Sequence, residues 1–290
     1  MKVSVVIPTL NAEHYLDALL TMLAKQTVPP KDILIIDSSS DDDTFSIAET
    51  YDGVQIQQIP RGTFNHGKTR DLGVQKTTGD VILFLTQDAV PADERMMEYL
   101  IRSFDNPDVA VAYARQVPRE DSSPREKLIR VYNYPMKSRQ QSAVDIPKLG
   151  IKTFFCSNVC AAYRRDVYDI LGGFEKDLLS NEDMIYAARA IRHGYKIAYV
   201  ADAAVIHSHD FSLQEQYKRN WVQGYEIARH QELLGNTSSS REGFHMLIAV
   251  ATQLLRQGRC LSVFGLIADC AARYLGNRAG KKRYHNTNCK

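Results

Sequence analysis

The stretch VILFLTQDAVP, residues 81–91, runs from five apolar residues into Thr86, Gln87 and a bare Asp88 before stopping at Pro91. An acid held at the end of a rigid strand can grip a cation. A hard ion that bridges diphosphate oxygens needs only one or two protein carboxylates, because the phosphates supply other ligands. Asp and Pro are equally ordinary strand terminators. In VIHSH, period-two alternation sets His207 and His209 on one face of an extended segment, where both imidazoles could approach a metal or a phosphate. The stretch SNEDMIYAARAIRHG places Glu182 and Asp183 in the first turn of a helix. Ser180 and Asp183 have capping-box spacing, and the helix dipole favours acids there. The same dipole keeps a carboxylate ionised, and an ionised carboxylate can take a proton from an attacking hydroxyl.

The loop PRGTFNHGKTRDLG gathers Arg61, His66, Lys68 and Arg70 around Gly62 and Gly67, just ahead of an expected helix. Backbone amides at a helix start together with cationic side chains make an anion site; a plain basic loop has the same composition. Asp37 and Asp41 in IIDSSSDDDT could accept hydrogen bonds from a nucleobase and ribose, or cap the next helix. Neither G-x-G-x-x-G after the first strand nor G-x-x-x-x-G-K-[ST] occurs, which argues against dinucleotide and P-loop phosphate binding. Nothing resembles a nucleophile elbow.

The elements that must position these residues alternate. VSVVI, DILIID, VQIQQI and VILFLT read as strands, each followed by a helical pattern from about Ala12, Asp41, His66 and Asp93. Such alternation predicts a parallel sheet covered on both faces, with ligands at the carboxyl ends of its strands. The loops PTLN, DSSSDDDT, PRGTFNHGKTRD and QDAVP then share one sheet edge. After VAVAYA, residues 115–150 read as a long loop with one helical stretch. TFFCSNVCAAY reads as a strand, followed by a short helix ending at Gly172 and Gly173, the helix carrying Glu182, a strand to VIHSH, and the helix SLQEQYKRNWVQGYEIARHQELL. NTSSSRE, 236–242, reads as a linker. It separates a domain over 1–235 from a C-terminal region over 236–290 whose two helices have broad apolar faces.

The chain has 290 residues and a net charge of +2. That charge is uneven: residues 241–290 carry nine Lys or Arg against two acids, a net +7, and leave the first 240 residues at −5. A basic tail on a mildly acidic body suggests an anionic partner surface, membrane or nucleic acid on charge alone. No apolar run reaches bilayer-spanning length, and the apolar stretch in MKVSVVIPTL is too short for a signal-peptide core. Five cysteines without a C-x-x-C pair suit a reducing compartment, and the expected location is the cytoplasm.

These pieces in this order resemble the bacterial family-2 inverting glycosyltransferases with the GT-A fold, over about residues 1–230. VSVVIPTLN is similar to the family's opening strand and nucleotide loop, and ILIIDSSSDDDT to its base-binding segment. GDVILFLTQDAVP is similar to the metal-binding strand end, and LGGFEKDLLSNEDMIYAARAIRHGYKI to the acceptor and catalytic-base block. TFNHGKTRDLG, LFLTQDA and HSHDFS resemble more narrowly the rhamnosyltransferase branch, whose donor is dTDP-L-rhamnose. The resemblance implies an α/β fold of GT-A type: a mostly parallel nucleotide-binding sheet with helices on both faces, plus a C-terminal helical extension. It implies Asp183 as catalytic base with Glu182 beside it. Donor contacts are implied at Pro8, Thr9, Asn11, Asp37, Ser39, Arg61, His66, Gly67, Arg70 and Gln87, and a Mg²⁺ or Mn²⁺ site at Asp88, His207 and His209. Two positions depart from the family pattern: Thr86 stands where the Asp-x-Asp motif has its first acid, and Asp71 follows Arg70 where Asn is common. The implied reaction moves L-rhamnose onto a hydroxyl of a glycan or polyprenyl-linked acceptor in cell-surface polysaccharide synthesis. The basic tail would then meet an anionic membrane at its inner face rather than nucleic acid, or its apolar helices would pack on the catalytic domain or in a homodimer.

Overall fold

The computed structural model describes residues 1–235 and 240–288. Nine strands form one sheet: β1 (Val3–Thr9), β2 (Asp32–Asp37), β3 (Val54–Gln58), β4 (Val81–Leu85), β5 (Val90–Pro91), β6 (Val109–Val117), β7 (Arg139–Gln141), β8 (Cys160–Arg164) and β9 (Lys196–Ile206). Six helices lie in the first two thirds of the chain: α1 (Glu13–Ala24), α2 (Thr44–Glu49), α3 (His66–Lys76), α4 (Met96–Arg102), α5 (Pro124–Asn133) and α6 (Ile146–Leu149). Six more follow: α7 (Arg165–Ile170), α8 (Glu182–Arg192), α9 (Leu213–Arg229), α10 (Gln231–Leu234), α11 (Ser240–Arg256) and α12 (Cys260–Asn288). The linker expected over 236–242 lies outside the described residues at 236–239, and α11 already runs from Ser240.

Both faces of the sheet are buried at β1, β2 and β4, which is why those strands read as nearly unbroken apolar runs. Val3, Val5, Ile7, Ile33 and Ile35 point to the face covered by Leu16, Leu20 and Leu23 of α1 and Met96 and Leu100 of α4. Val6, Leu34 and Ile36 point to the other, where Val74 of α3 and Ile185, Tyr186 and Ile191 of α8 meet them. On that second face Phe84, Tyr163, Tyr168, Phe174 and Tyr186 pack edge-on or tilted, with Tyr168 and Tyr186 stacked at 5.2 Å. Such pairs add about 0.5–1.5 kcal/mol each beyond area burial.

The sheet is mixed, a correction to the mostly parallel expectation. β3, β2, β1 and β4 pair in parallel, but β8 inserts antiparallel between β4 and β6, and β5 and β7 pair antiparallel with β9. The strand expected over TFFCSNVCAAY holds only from Cys160; residues 150–154 form a 3₁₀ turn and 155–159 a loop. This geometry sets the site. Because Cys160 pairs with Leu85, the amino end of β8 lies at the carboxyl end of β4. β6 and β9 run parallel to each other and antiparallel to β8, so Val117 and Ile206 end at that same edge. Six carboxyl ends, those of β1 to β4, β6 and β9, therefore converge with the amino ends of β8 and β5.

The C-terminal helices are docked. Met246, Val250 and Leu254 of α11 and Leu266 of α12 form a small core with Ile129 of α5. α12 crosses α9 at glycines, where a Cβ would sit 1.9 Å from Trp221 O at Gly280, 2.3 Å from Tyr217 O at Gly276 and 2.2 Å from Asn277 O at Gly224. Backbone contact this close has no room for a side chain. We expect Gly280→Ala to cost ~1–3 kcal/mol through overpacking, read as a lower denaturation midpoint. Gly243→Ala, which faces open space on α11, should stabilise by up to ~1 kcal/mol. Equal midpoints for the two variants would refute the tight crossing.

Candidate active site

Asp88 lies three residues beyond β4 in a turn held at both ends. Thr86 N donates to Val159 O and Ala89 N to Thr86 O, each at 3.1 Å. The two-residue β5 then pairs with Val205 and Ile206, which brings Asp88 beside the histidines that follow β9. Asp88 Oδ2 is 2.9 Å from His209 Nε2, 3.4 Å from His207 Nε2 and 3.9 Å from Arg119 Nη2. Burial works to raise the Asp88 carboxyl, but the two imidazoles, when protonated, overcome it and hold the group well below the usual carboxylate range. Burial also pushes His207 below its ordinary value, toward the neutral ring.

The tautomer of that ring follows from its far side. His207 Nδ1 faces Gln116 Oε1 at 3.1 Å. The orientation of the Gln116 amide is set by Arg130, which donates to Oε1, and by Ser157 Oγ, which accepts from Nε2 at 3.0 Å. A neutral His207 therefore carries its proton on Nδ1 and turns the lone pair of Nε2 toward the Asp88 carboxylate. Two acceptors facing each other call for a cation between them. Asp88, His207 and His209 offer one oxygen and two nitrogens within 4.8 Å of one another, a donor set that fits a divalent ion. Imidazole nitrogen suits Mn²⁺ better than the oxygen-seeking Mg²⁺.

The second cluster stands at the start of α8. The capping box expected from Ser180 and Asp183 does not form. The N-cap is Asn181 in the left-handed region (φ 65°) without a side-chain cap, and among the described residues Ser180 Oγ has no hydrogen-bond partner. Asp183 is engaged elsewhere: Oδ2 accepts from Asn158 N at 3.0 Å and Oδ1 from Met184 N at 2.7 Å. Glu182 pairs with Arg70 at 3.3 Å, with side chains only 7% and 5% exposed, and accepts from Asn158 Nδ2 at 3.0 Å. The two carboxyls are thereby driven apart. Burial acts to raise Glu182, yet Arg70, His66 and Asn158 outweigh it and keep the group ionised. Burial and the neighbouring Glu182 charge push Asp183 up to about 7. Neighbouring acids separated in this way mark acid–base positions.

The loops after β1, β2 and β3 form a third cluster. Pro8 and Thr9 close β1 in register with Ile36 and Asp37. Asp37 is buried and spends its carboxylate on Thr9 Oγ1, Ser40 N and Ser40 Oγ, so it organises the loop. Asn11 and Ser39 both adopt left-handed backbone (φ 51° and 59°). Asn11 binds Ser40 and Asp41, and Ser39 Oγ donates to Ile59 O. Arg61 reaches back to Ser39 O at 2.8 Å and Asp41 at 2.7 Å. Gln87 staples this cluster to the metal corner through two hydrogen bonds with the Leu10 backbone. His66 is exposed at the first turn of α3. Gly67 is buried where a Cβ would lie 2.8 Å from Glu175 O, so packing already requires a glycine there. Arg70 faces Glu182.

Sequence reading missed four contributors. Asn158 joins the two carboxylates, Gln116 and Arg130 orient His207, and Arg119 stacks on Tyr15 at 4.7 Å while donating to Asp88 O at 3.4 Å. The one available signal was the polar pair Ser157–Asn158 interrupting an apolar run.

Residues 4–172 match the protein family described as glycosyl transferase family 2. The O-antigen chain rhamnosyltransferase RfbN of Salmonella typhimurium is 43% identical over 225 residues, 77% of this chain and 72% of that protein. WbaN of Salmonella anatum, also an O-antigen chain rhamnosyltransferase, is 38% identical over 261 residues, 89% and 82% of the two chains. The mannosyltransferase PcManGT of Pyrobaculum calidifontis, solved with GDP-Man and Mn²⁺, superposes with a TM-score of 0.65 at 16% identity, covering 100% of this chain and 88% of that one. TarS 1–349 of S. aureus with UDP gives 0.59 at 19%, covering 99% and 92%. At these identities the likeness to the solved structures is one of fold.

Two outcomes follow from the site geometry. Arg70→Met should cost roughly 3–5 kcal/mol by leaving Glu182 buried without its counter-charge, and the further change Glu182→Gln should recover most of that; an unaltered urea midpoint would show that solvent reaches the pair. Mn²⁺ should raise the thermal midpoint of the chain more than Mg²⁺ at equal concentration, and His209→Ala should remove the difference. Equal shifts by both ions would remove the nitrogen donors from the site.

Proposed function

The chain belongs to glycosyl transferase family 2, and on that premise we propose that it is an inverting enzyme moving L-rhamnose from dTDP-L-rhamnose onto a hydroxyl of a glycan or polyprenyl-linked acceptor. The observation that carries the reading is the pairing of Asp183, pushed up by burial and its neighbour, with Glu182, whose charge Arg70 already neutralises. Of the two acids, Asp183 is then the one poised to exchange a proton near neutral pH. The donor assignment is supported by the two relatives named as rhamnosyltransferases, at 43% and 38% identity.

In this reading Asp183 takes the proton of the acceptor hydroxyl as that oxygen bonds to the anomeric carbon. The bond from that carbon to the diphosphate oxygen breaks on the opposite side, its electron pair leaves with the nucleotide, and the configuration inverts. Asn158 N and Met184 N hold the two oxygens of Asp183, so the base does not rotate away from its proton. Glu182 positions rather than reacts. Asp88, His207 and His209 would hold a divalent ion, which when bound offsets negative charge on the departing diphosphate. Arg119 adds a fixed cation at the same corner.

Incubation with dTDP-rhamnose, UDP-, GDP- and other dTDP-sugars tests the donor: dTDP-rhamnose should be hydrolysed or transferred fastest, and a clear preference for a UDP- or GDP-sugar would refute it. Asp183→Asn keeps the shape and should lower turnover by ~10²–10⁴ with donor affinity retained. Because a base must be unprotonated and Asp183 is pushed up to about 7, kcat/KM should be lost as pH falls through that value rather than through the ordinary carboxylate range. Glu182→Gln removes the neighbouring charge and should move this limb down. A limb that stays put in Glu182→Gln and persists in Asp183→Asn would assign the base elsewhere.

A further inference from the structure

The docked C-terminal helices leave one face bare. While Met246, Val250, Leu254 and Leu266 turn inward, Phe244, Ile248, Leu255, Leu261, Phe264 and Ile267 remain 50–85% exposed. They share an outward stripe on α11 and α12 that meets at the turn between them, where Leu255 and Leu261 flank the exposed Arg256 and Arg259. No Asp or Glu occurs from 243 to 268. The acids that bound this stretch are already neutralised: Glu242 by Lys152 and the Tyr132 hydroxyl, and the buried Asp269 by Arg273 at 2.6 Å. The surface therefore shows water large apolar side chains and cations, with no carboxylate among them.

From this combination we propose that the α11–α12 hairpin is the face by which the protein rests on an anionic lipid bilayer. Its Leu, Phe and Ile side chains enter the acyl boundary, and Arg256 and Arg259 meet the headgroup phosphates. No helix among the described residues is long and apolar enough to cross a membrane, so the hairpin lies in the interface plane. A second copy of the chain is the weaker occupant on charge: an isologous contact sets the same patch against itself, and this patch offers cations no carboxylate to meet. The hairpin is also rigidly tied to the reaction edge. Arg125 of α5 donates to Gly265 O at 3.2 Å, and Ser123, which caps α5, donates from its backbone N to Asp210 at 2.8 Å, next to His209. Seating the hairpin thus fixes the distance between the bilayer and the metal corner.

Sedimentation of the full chain with phosphatidylcholine vesicles, with and without phosphatidylglycerol, tests the proposal. The chain should pellet only with the anionic vesicles, and progressively less as salt rises. Leu261→Glu/Phe264→Glu should weaken partitioning by about tenfold or more, with an unchanged melting profile because both side chains are exposed. Arg256→Gln/Arg259→Gln should weaken it about tenfold or more and flatten the salt dependence. Folded wild-type chain that ignores anionic vesicles at low salt overturns the proposal. So does a dimer that Leu261→Glu/Phe264→Glu converts to monomer without any vesicle binding in the wild type. Donor hydrolysis in solution, measured on the same variants and expected unchanged, keeps this outcome separate from that of the proposed reaction.

Discussion

Holding two adjacent carboxylates at one helix start, one buried and one half-buried, is the constraint around which this molecule is arranged. Glu182 and Asp183 are neighbours in sequence, Glu182 is buried and Asp183 half-buried, and their like charges repel. One cation is supplied, Arg70, and it goes to Glu182. One amide residue is supplied, Asn158, and it serves both: its side chain donates to Glu182, its backbone to Asp183. Its side-chain oxygen accepts from the Tyr163 hydroxyl at 2.7 Å, so both ends of the side-chain amide and the backbone N–H of a residue 3% exposed are used. A half-satisfied network in such a place would be worse than none. The consequence reaches into the backbone, because Asn158 can serve helix α8 only from a loop, and β8 accordingly starts at Cys160.

That late start explains why the antiparallel insertion matters to the chemistry. A fully parallel sheet would bring only carboxyl ends to its reaction edge. Reversing β8 delivers an amino end there, and the loop leading into it runs between the two clusters. Ser157 anchors Gln116, which orients His207; Asn158, the next residue, anchors the two carboxylates; Val159 O receives the amide of Thr86 in the Asp88 turn. Three consecutive residues couple the Asp88 corner to the Glu182–Asp183 pair. A shift of this loop would disturb both at once.

The legible and illegible parts of the sequence divide along that line. Strands β1 to β4 and their helices were readable within a few residues, since both faces of the sheet are buried at β1, β2 and β4 and each run is short, apolar and bounded by turn residues. Alternation placed His207 and His209 on one face, but their meeting with Asp88 was implied by the family resemblance rather than by spacing. The direction of β8 was not, because pairing direction is settled by long-range packing and leaves no local signature. The Ser180–Asp183 spacing misled for a related reason. It fits a capping box, but Asn158, remote in sequence, claims the Asp183 carboxylate, and Asn181 takes a left-handed backbone that turns Ser180 away. The linker expected up to residue 242 yielded in part to α11, whose apolar contacts with α5 outweigh the low helix preference of its first residues.

Thr86 shows how one substitution can change the character of a site without removing it. Its amide is tied to Val159 O, and its hydroxyl is buried without a partner among the described residues. Two imidazoles complete the donor set around Asp88 instead. A carboxylate replaced by neutral nitrogen leaves a divalent ion less fully neutralised by its protein ligands, hence with more of its charge directed at a phosphate ligand. Arg119, held over Tyr15 and against the Asp88 carbonyl, adds to the same field. With an ion bound, the corner would attract a phosphate ligand, and the orientation of His207 by Gln116 and Arg130 is what keeps its Nε2 lone pair turned toward Asp88.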